Sequence, residues 1–116
     1  MRDDLLFHIT TKDDWEKFNN GGKYEPESFD SQGFIHCSTG EQVEATANKI
    51  FGDKDEILLL VIDATTLYDD IKYEKGEDTD KKFPHLYSPL STNAIIDKIT
   101  IKAEDDGKFN IEFTTN

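Results

Sequence analysis

A small α+β domain is what this sequence predicts, and three features carry that expectation. Ile57 to Ile62 is an almost unbroken apolar run bounded by charges, which reads as a central strand covered on both faces. Before it, Val43, Ala47, Ile50 and Phe51 recur at helical spacing. After it, Ile71 to Glu74 and Ile95 to Ile101 alternate as strands do, so the expected order is strands and helices first, then mostly antiparallel strands.

The remaining elements follow from local chemistry. Leu5 to Ile9 reads as a first strand, with Leu6 and His8 on one face and Leu5, Phe7 and Ile9 on the other. Thr11 is placed to cap a short helix bearing Trp15 and Phe18, with Asp14 near its positive end. Asn19-Asn20-Gly21-Gly22 ends that helix. Lys23 to Gln32 is polar and irregular and is expected to be a loop. Phe34 to Cys37 reads as a short strand, with Phe34, His36 and Ser38 pointing one way and Ile35 and Cys37 the other. Ser38-x-x-Glu41 and Thr39-x-x-Gln42 both have capping-box spacing, which predicts a helix from Ser38 or Thr39 to Gly52. Gly76 to Lys82 is a charged loop. Residues 83–90 hold two prolines and no alternation, which predicts ordered loop. Ile95, Ile99 and Ile101 alternate imperfectly because Asp97 shares their face. Phe109, Ile111 and Phe113 alternate cleanly, and Glu104 to Gly107 is expected to join the two runs as a hairpin turn.

Length and charge bound the function. The 116 residues form one domain, with room for a single modest core. The net charge of −12, from 25 acidic and 13 basic residues, repels phosphate backbones and argues against general nucleic-acid binding. One Cys excludes an intrachain disulfide and a four-Cys zinc site. The opening MRDDLLFHIT lacks the apolar run of a signal peptide, and no stretch approaches the ~20 apolar residues of a membrane helix. A soluble, cytoplasmic protein is expected, with no membrane partner and with an oligomeric state that the sequence leaves open.

Two of the three His sit in dense segments, Gly33-Phe34-Ile35-His36-Cys37-Ser38-Thr39 and Phe83-Pro84-His85-Leu86-Tyr87. A His beside hydroxyl groups on a packed element suits proton transfer near neutral pH. His36 falls where a strand runs into an expected helix N-terminus, so its imidazole would stand beside free backbone N–H groups suited to phosphate or another anion. Ser38 and Thr39 serve equally well as caps. His85 and the Tyr87 hydroxyl lie on one side of an extended segment and could face a pocket, although Tyr87 reads equally as a core aromatic. Glu74, at the end of its strand, is the carboxylate most suited to chemistry, and His8 is a third imidazole on the first strand. Three His invite a metal-binding reading, but there is no His-x-x-x-His or His-Glu-x-x-His and Cys37 is expected to face away, so no metal is expected. The GxxxxGK[ST], GxGxxG and GxSxG patterns are absent, and a core-facing Cys37 is a poor nucleophile.

GFIHCST, Gln42, ILLLVID, KYE and FPHLYSPL, in that order, resemble a family of small bacterial proteins, the domain-of-unknown-function family nine-fifty-two. The resemblance runs from Leu6 to about Ile101. It implies a compact, ADP-ribosyltransferase-like fold, a split and mainly antiparallel sheet with two or three short helices around a cleft that holds NAD in better-known members. Those members set a His against the nicotinamide ribose, an aromatic against the nicotinamide and a Glu against the oxocarbenium charge. By position, His8 or His36 would take the first role and Tyr73 or Tyr87 the second, while among the late apolar strands only Glu112 is available for the third. The expectation is a cleft lined by His8, His36, Ser38, His85 and Tyr87, with Thr39, Tyr73 and Glu74 as further site residues. Its ligand would be NAD or an ADP-ribosyl-like molecule, and its activity ADP-ribosyl transfer or NAD glycohydrolysis. The alternatives are a non-catalytic nucleotide or small-molecule binding module and a metal-binding protein using the three His.

Overall fold

The computed structural model describes residues 4–76 and 79–111. It is an α+β domain with three small antiparallel sheets and few helices. The longest sheet pairs β1 (Leu5–Thr10), β5 (Glu56–Asp63) and β9 (Ile95–Lys102), with β5 in the middle. A second pairs β2 (Asn19–Asn20), β3 (Lys23–Tyr24) and β8 (Leu90–Ser91). The third runs β4 (Ile35–His36), β7 (Lys82–Leu86), β6 (Ile71–Lys75). The helices are α1 (Lys12–Phe18), α2 (Glu27–Gln32) and α3 (Val43–Ile50).

β5 divides the interior. Its Leu58, Leu60 and Ile62 join Leu6, Tyr24, Ile35, Cys37, Leu86 and Leu90 in one cluster, which seats the two smaller sheets on the large one. Its Ile57, Leu59 and Val61 join Phe7, Ile9, Val43, Ala47, Phe109 and Ile111 in the other, beneath α3. Alternation along one apolar strand thus supplies two cores, as expected for a strand covered on both faces.

Several expectations are corrected. The segment 23–32 is not loop throughout, because it holds β3 and α2, and α2 closes on Gly33 at φ 85°. Residues 83–90 hold β7 and β8 despite their prolines. Pro84 is tolerated in the middle strand because the Cys37 N–H donates to the Pro84 carbonyl (3.0 Å), so the missing proline donor costs the β4 side only one ladder bond. The helix begins at Val43 rather than at Ser38 or Thr39. Ser38 is instead bridged to Phe7 by Phe7 N–H to Ser38 O (2.9 Å) and Ser38 N–H to Phe7 O (2.7 Å). Half of the Thr39-x-x-Gln42 box does form, with the Gln42 side chain accepting from the Thr39 N–H at 3.1 Å. Ile50 lies outside the buried stripe, 62% exposed.

The imperfect alternation of β9 has a structural cause. Val61 pairs with Asp97 but Ile62 with Ile95, so Ile96 is a bulged extra residue. Ile95 consequently packs against the first cluster and Ile101 against the second. The turn near Glu104–Gly107 is present, closed by Gly107 N–H to Glu104 O at 2.8 Å. The segment beyond it is not the expected strand over its described residues. Asn48 of α3 donates to the Phe109 carbonyl (3.1 Å) and accepts from the Phe109 N–H (2.8 Å), and Glu44 accepts from the Ile111 N–H (2.7 Å). Phe113 and Glu112 lie outside the described residues.

Candidate functional site

The outer face of the β4–β7–β6 sheet gathers the chemistry. His36 of β4 pairs with His85 of β7, and His85 with Lys72 of β6. The neighbouring Cys37–Pro84 pair carries the ladder bond, so His36 and His85 form an unbonded pair, the type whose side chains stand closer. Their ring centroids are 5.6 Å apart. Ile35 and Leu86 point the other way into the core, which leaves the imidazoles on the outside.

Phe34 lies across the pair. Its ring stacks on His85 at 4.1 Å between centroids and 16° between planes, and meets His36 edge-on at 4.8 Å. Its carbonyl is held by the Ser28 hydroxyl of α2 at 3.1 Å. His85 is therefore only 6% exposed although it stands on the outer face. Its Nδ1 is 2.9 Å from Glu74 Oε1, and the Tyr87 hydroxyl donates to the same oxygen. These two bonds, the Tyr87 one foremost, hold the Glu74 carboxyl below its ordinary range, and the same bond pushes the Tyr87 hydroxyl upward. The Glu74 side chain remains 42% exposed, so its charge stays accessible. His36 is exposed and its Nε2 is 2.6 Å from Gln32 Oε1. A carbonyl oxygen only accepts, so Nε2 carries the proton.

His8 is not part of this face. It is buried in the first cluster's side of β1, with Nδ1 2.6 Å from the His36 carbonyl and Nε2 3.0 Å from the Tyr24 hydroxyl. Tyr24 in turn bonds Thr10 Oγ1 at 3.0 Å. Burial depresses the His8 pKa from 6.5 to about 4, so the ring is neutral, donating at Nδ1 and accepting at Nε2. His8 thus fixes the backbone of His36 from behind.

The expected residues therefore divide. His36, His85, Glu74 and Tyr87 are brought together. His8 and Ser38 are buried and engaged elsewhere, which corrects their place in the expected cleft lining. Tyr73 projects from the other face of β6 and is 52% exposed. Thr39 is half-buried, its N–H held by Gln42, and with α3 starting four residues later the expected anion site at a helix N-terminus beside His36 does not form. The reading that uses all three His for one metal fails on His8, and among the described residues no three His, Cys, Asp or Glu side chains are grouped to hold an ion. Cys37 is buried, its thiol pushed up to about 12 by burial. Phe34, Lys72 and Gln32 are members of the face that the sequence reading left out. Alternation already sets Phe34 on the His36 side without making it a site residue, and Lys72 shares strand parity with Glu74, a signal that could have found it.

Fold and site together define a small α+β domain with a His–aromatic–carboxylate face on a three-stranded sheet. The profile of the family described as "Protein of unknown function (DUF952)" matches residues 9–98, and the chain belongs to that family. The crystal structure of protein CC0527 from Caulobacter crescentus is similar, with a TM-score of 0.80 and 31% identity over 91% of this chain and 93% of that one. The solution structure of CC0527 gives a TM-score of 0.76 and 31% identity over 90% of each chain. No curated protein matches the chain. Among the described residues no helix is long and apolar enough to cross a membrane.

Proposed function

We propose that the outer face of the β4–β7–β6 sheet binds NAD or an ADP-ribosyl-like ligand, and that the chain catalyses glycosyl cleavage or transfer there. The observation that carries this reading is Glu74, a carboxylate held ionised by Tyr87 and His85 while its side chain stays open to solvent. When the C–N glycosidic bond breaks, its electron pair leaves with the nicotinamide and the ribosyl carbon becomes an oxocarbenium. A fixed carboxylate stabilises that cation, and water or another acceptor then attacks it. Tyr87 and Phe34 supply flat surfaces for the leaving ring, and His36, oriented by its Nε2 bond to Gln32, stands beside them to position the ribose. A His, an aromatic and a Glu on neighbouring strands also support the likeness to the ADP-ribosyltransferase fold, with His36, Tyr87 and Glu74 in the three roles. A cytoplasmic setting, where NAD is abundant and thiols stay reduced, fits a lone buried Cys37.

The test is nicotinamide release from NAD by the purified protein. Glu74→Gln is expected to lower kcat at least about a hundredfold, as removal of a key electrostatic group does, while leaving the melting temperature close to the parent's. No release by the parent overturns the catalytic reading. A second reading, a binding module without chemistry, is favoured by one observation: His85 is covered by Phe34 and bonded to Glu74, so it orients the carboxylate rather than facing a ligand. Thermal stabilisation by NAD without turnover selects that reading.

A further inference from the structure

The same face carries a cation of its own. Lys72, opposite His85 in the β6–β7 register, sets its ammonium 5.2 Å from the centroid of the Tyr87 ring. Tyr87 is 37% exposed, and its hydroxyl is bonded to the Glu74 carboxylate. Aromatic rings are negative on their faces, and a carboxylate beside them adds a full charge, so the assembly attracts positive groups. The chain as a whole, at −12, favours approach of cations over anions.

We infer that this face is a receptor for an organic cation, a quaternary ammonium or an N-alkylated ring, and that Lys72 is the built-in competitor which such a ligand displaces. The inference rests on the face being the ligand site and adds the charge of the group it takes and the residue that sets its selectivity. A lysine ammonium is strongly hydrated on a flexible stem, so it leaves the ring easily. A quaternary cation has no N–H groups to satisfy, and it is matched by aromatic surface and a nearby carboxylate with Phe34 and His36 alongside. Lys72 thereby tunes affinity: it occupies the site when the ligand is absent and moves away when the ligand binds.

Choline and its neutral isostere, in which a carbon replaces the nitrogen, separate charge from shape. Both are titrated into the full chain and followed by the backbone amide shifts of β6 and β7, in the parent, Lys72→Met and Glu74→Gln. Both substitutions are at solvent-accessible side chains, so the fold is retained. Choline is expected to bind about tenfold more tightly than the isostere. Glu74→Gln should shrink that preference to within about threefold, and Lys72→Met should tighten choline about three- to tenfold with the isostere unchanged. Equal affinity of the two probes, or no response of choline to Lys72→Met, overturns the inference while leaving the face as a ligand site. No shifts at β6 or β7 with either probe overturns both. Absence of NAD turnover with the choline preference intact removes the glycosyl-transfer reading alone.

Discussion

Lowering the pH should destabilise this domain through His8 before its carboxylates titrate. The His8 ring is buried, bonded on both nitrogens, and shifted from 6.5 to about 4. A His with a depressed folded-state pKa binds protons more tightly when unfolded, so stability falls as pH drops through the window between those two values. The slope approaches about 1.4 kcal/mol per pH unit, and integration from about pH 6.5 to about pH 4.5 gives a loss of about 2 kcal/mol. Glu74, whose pKa is depressed, acts in a different window: its contribution is present above the unfolded carboxylate value and is lost only below it. The measurement is urea unfolding followed by Trp15 fluorescence at about pH 7.5 and about pH 4.5, on the parent and on His8→Gln. The variant lacks the titrating ring, so its stability should fall by about 2 kcal/mol less than the parent's over that interval. Parallel pH dependence in the two proteins would refute the account, because it would mean that His8 is not held neutral in the folded state.

Two further outcomes follow from contacts in the core and at its edge. Asn48→Ala removes both bonds that α3 makes to Phe109 and should cost about 1–3 kcal/mol, with the Phe109 amide losing its protection against hydrogen exchange. Cys37, raised to about 12 in the core, should resist alkylation in the native protein at neutral pH and react promptly once the chain is unfolded in urea.

The parts of the fold that could be read from the chain are those where period and burial agree. β5 was legible because its apolar run has no polar face, and β1 because its two faces enter two different clusters. α2 was missed because Glu27–Gln32 buries no residue and so shows no apolar stripe. β7 was missed because Pro84 is a strong argument against a middle strand, and only its pairing with Cys37 shows how little is lost. Phe109 and Ile111 do alternate, yet Asn48 and Glu44 side chains supply the backbone bonds that a partner strand was expected to provide. At the site, parity alone put His36 with Phe34 and His85 with Tyr87. It could not tell that His8, on an equally regular strand, faces Tyr24 and Thr10 instead. That distinction depends on which sheet covers which face, and such information lies in contacts distant along the chain.

Because every second residue of β5 belongs to one cluster and the rest to the other, neither half of the interior can melt without withdrawing the backbone on which the other is mounted. Loss of packing under α3 is therefore transmitted to the seat of the sheet that bears His36 and His85, more than a strand away from the damage. The described domain is therefore expected to melt as one cooperative unit, with the β4–β7–β6 face sharing the stability of the helix-covered side.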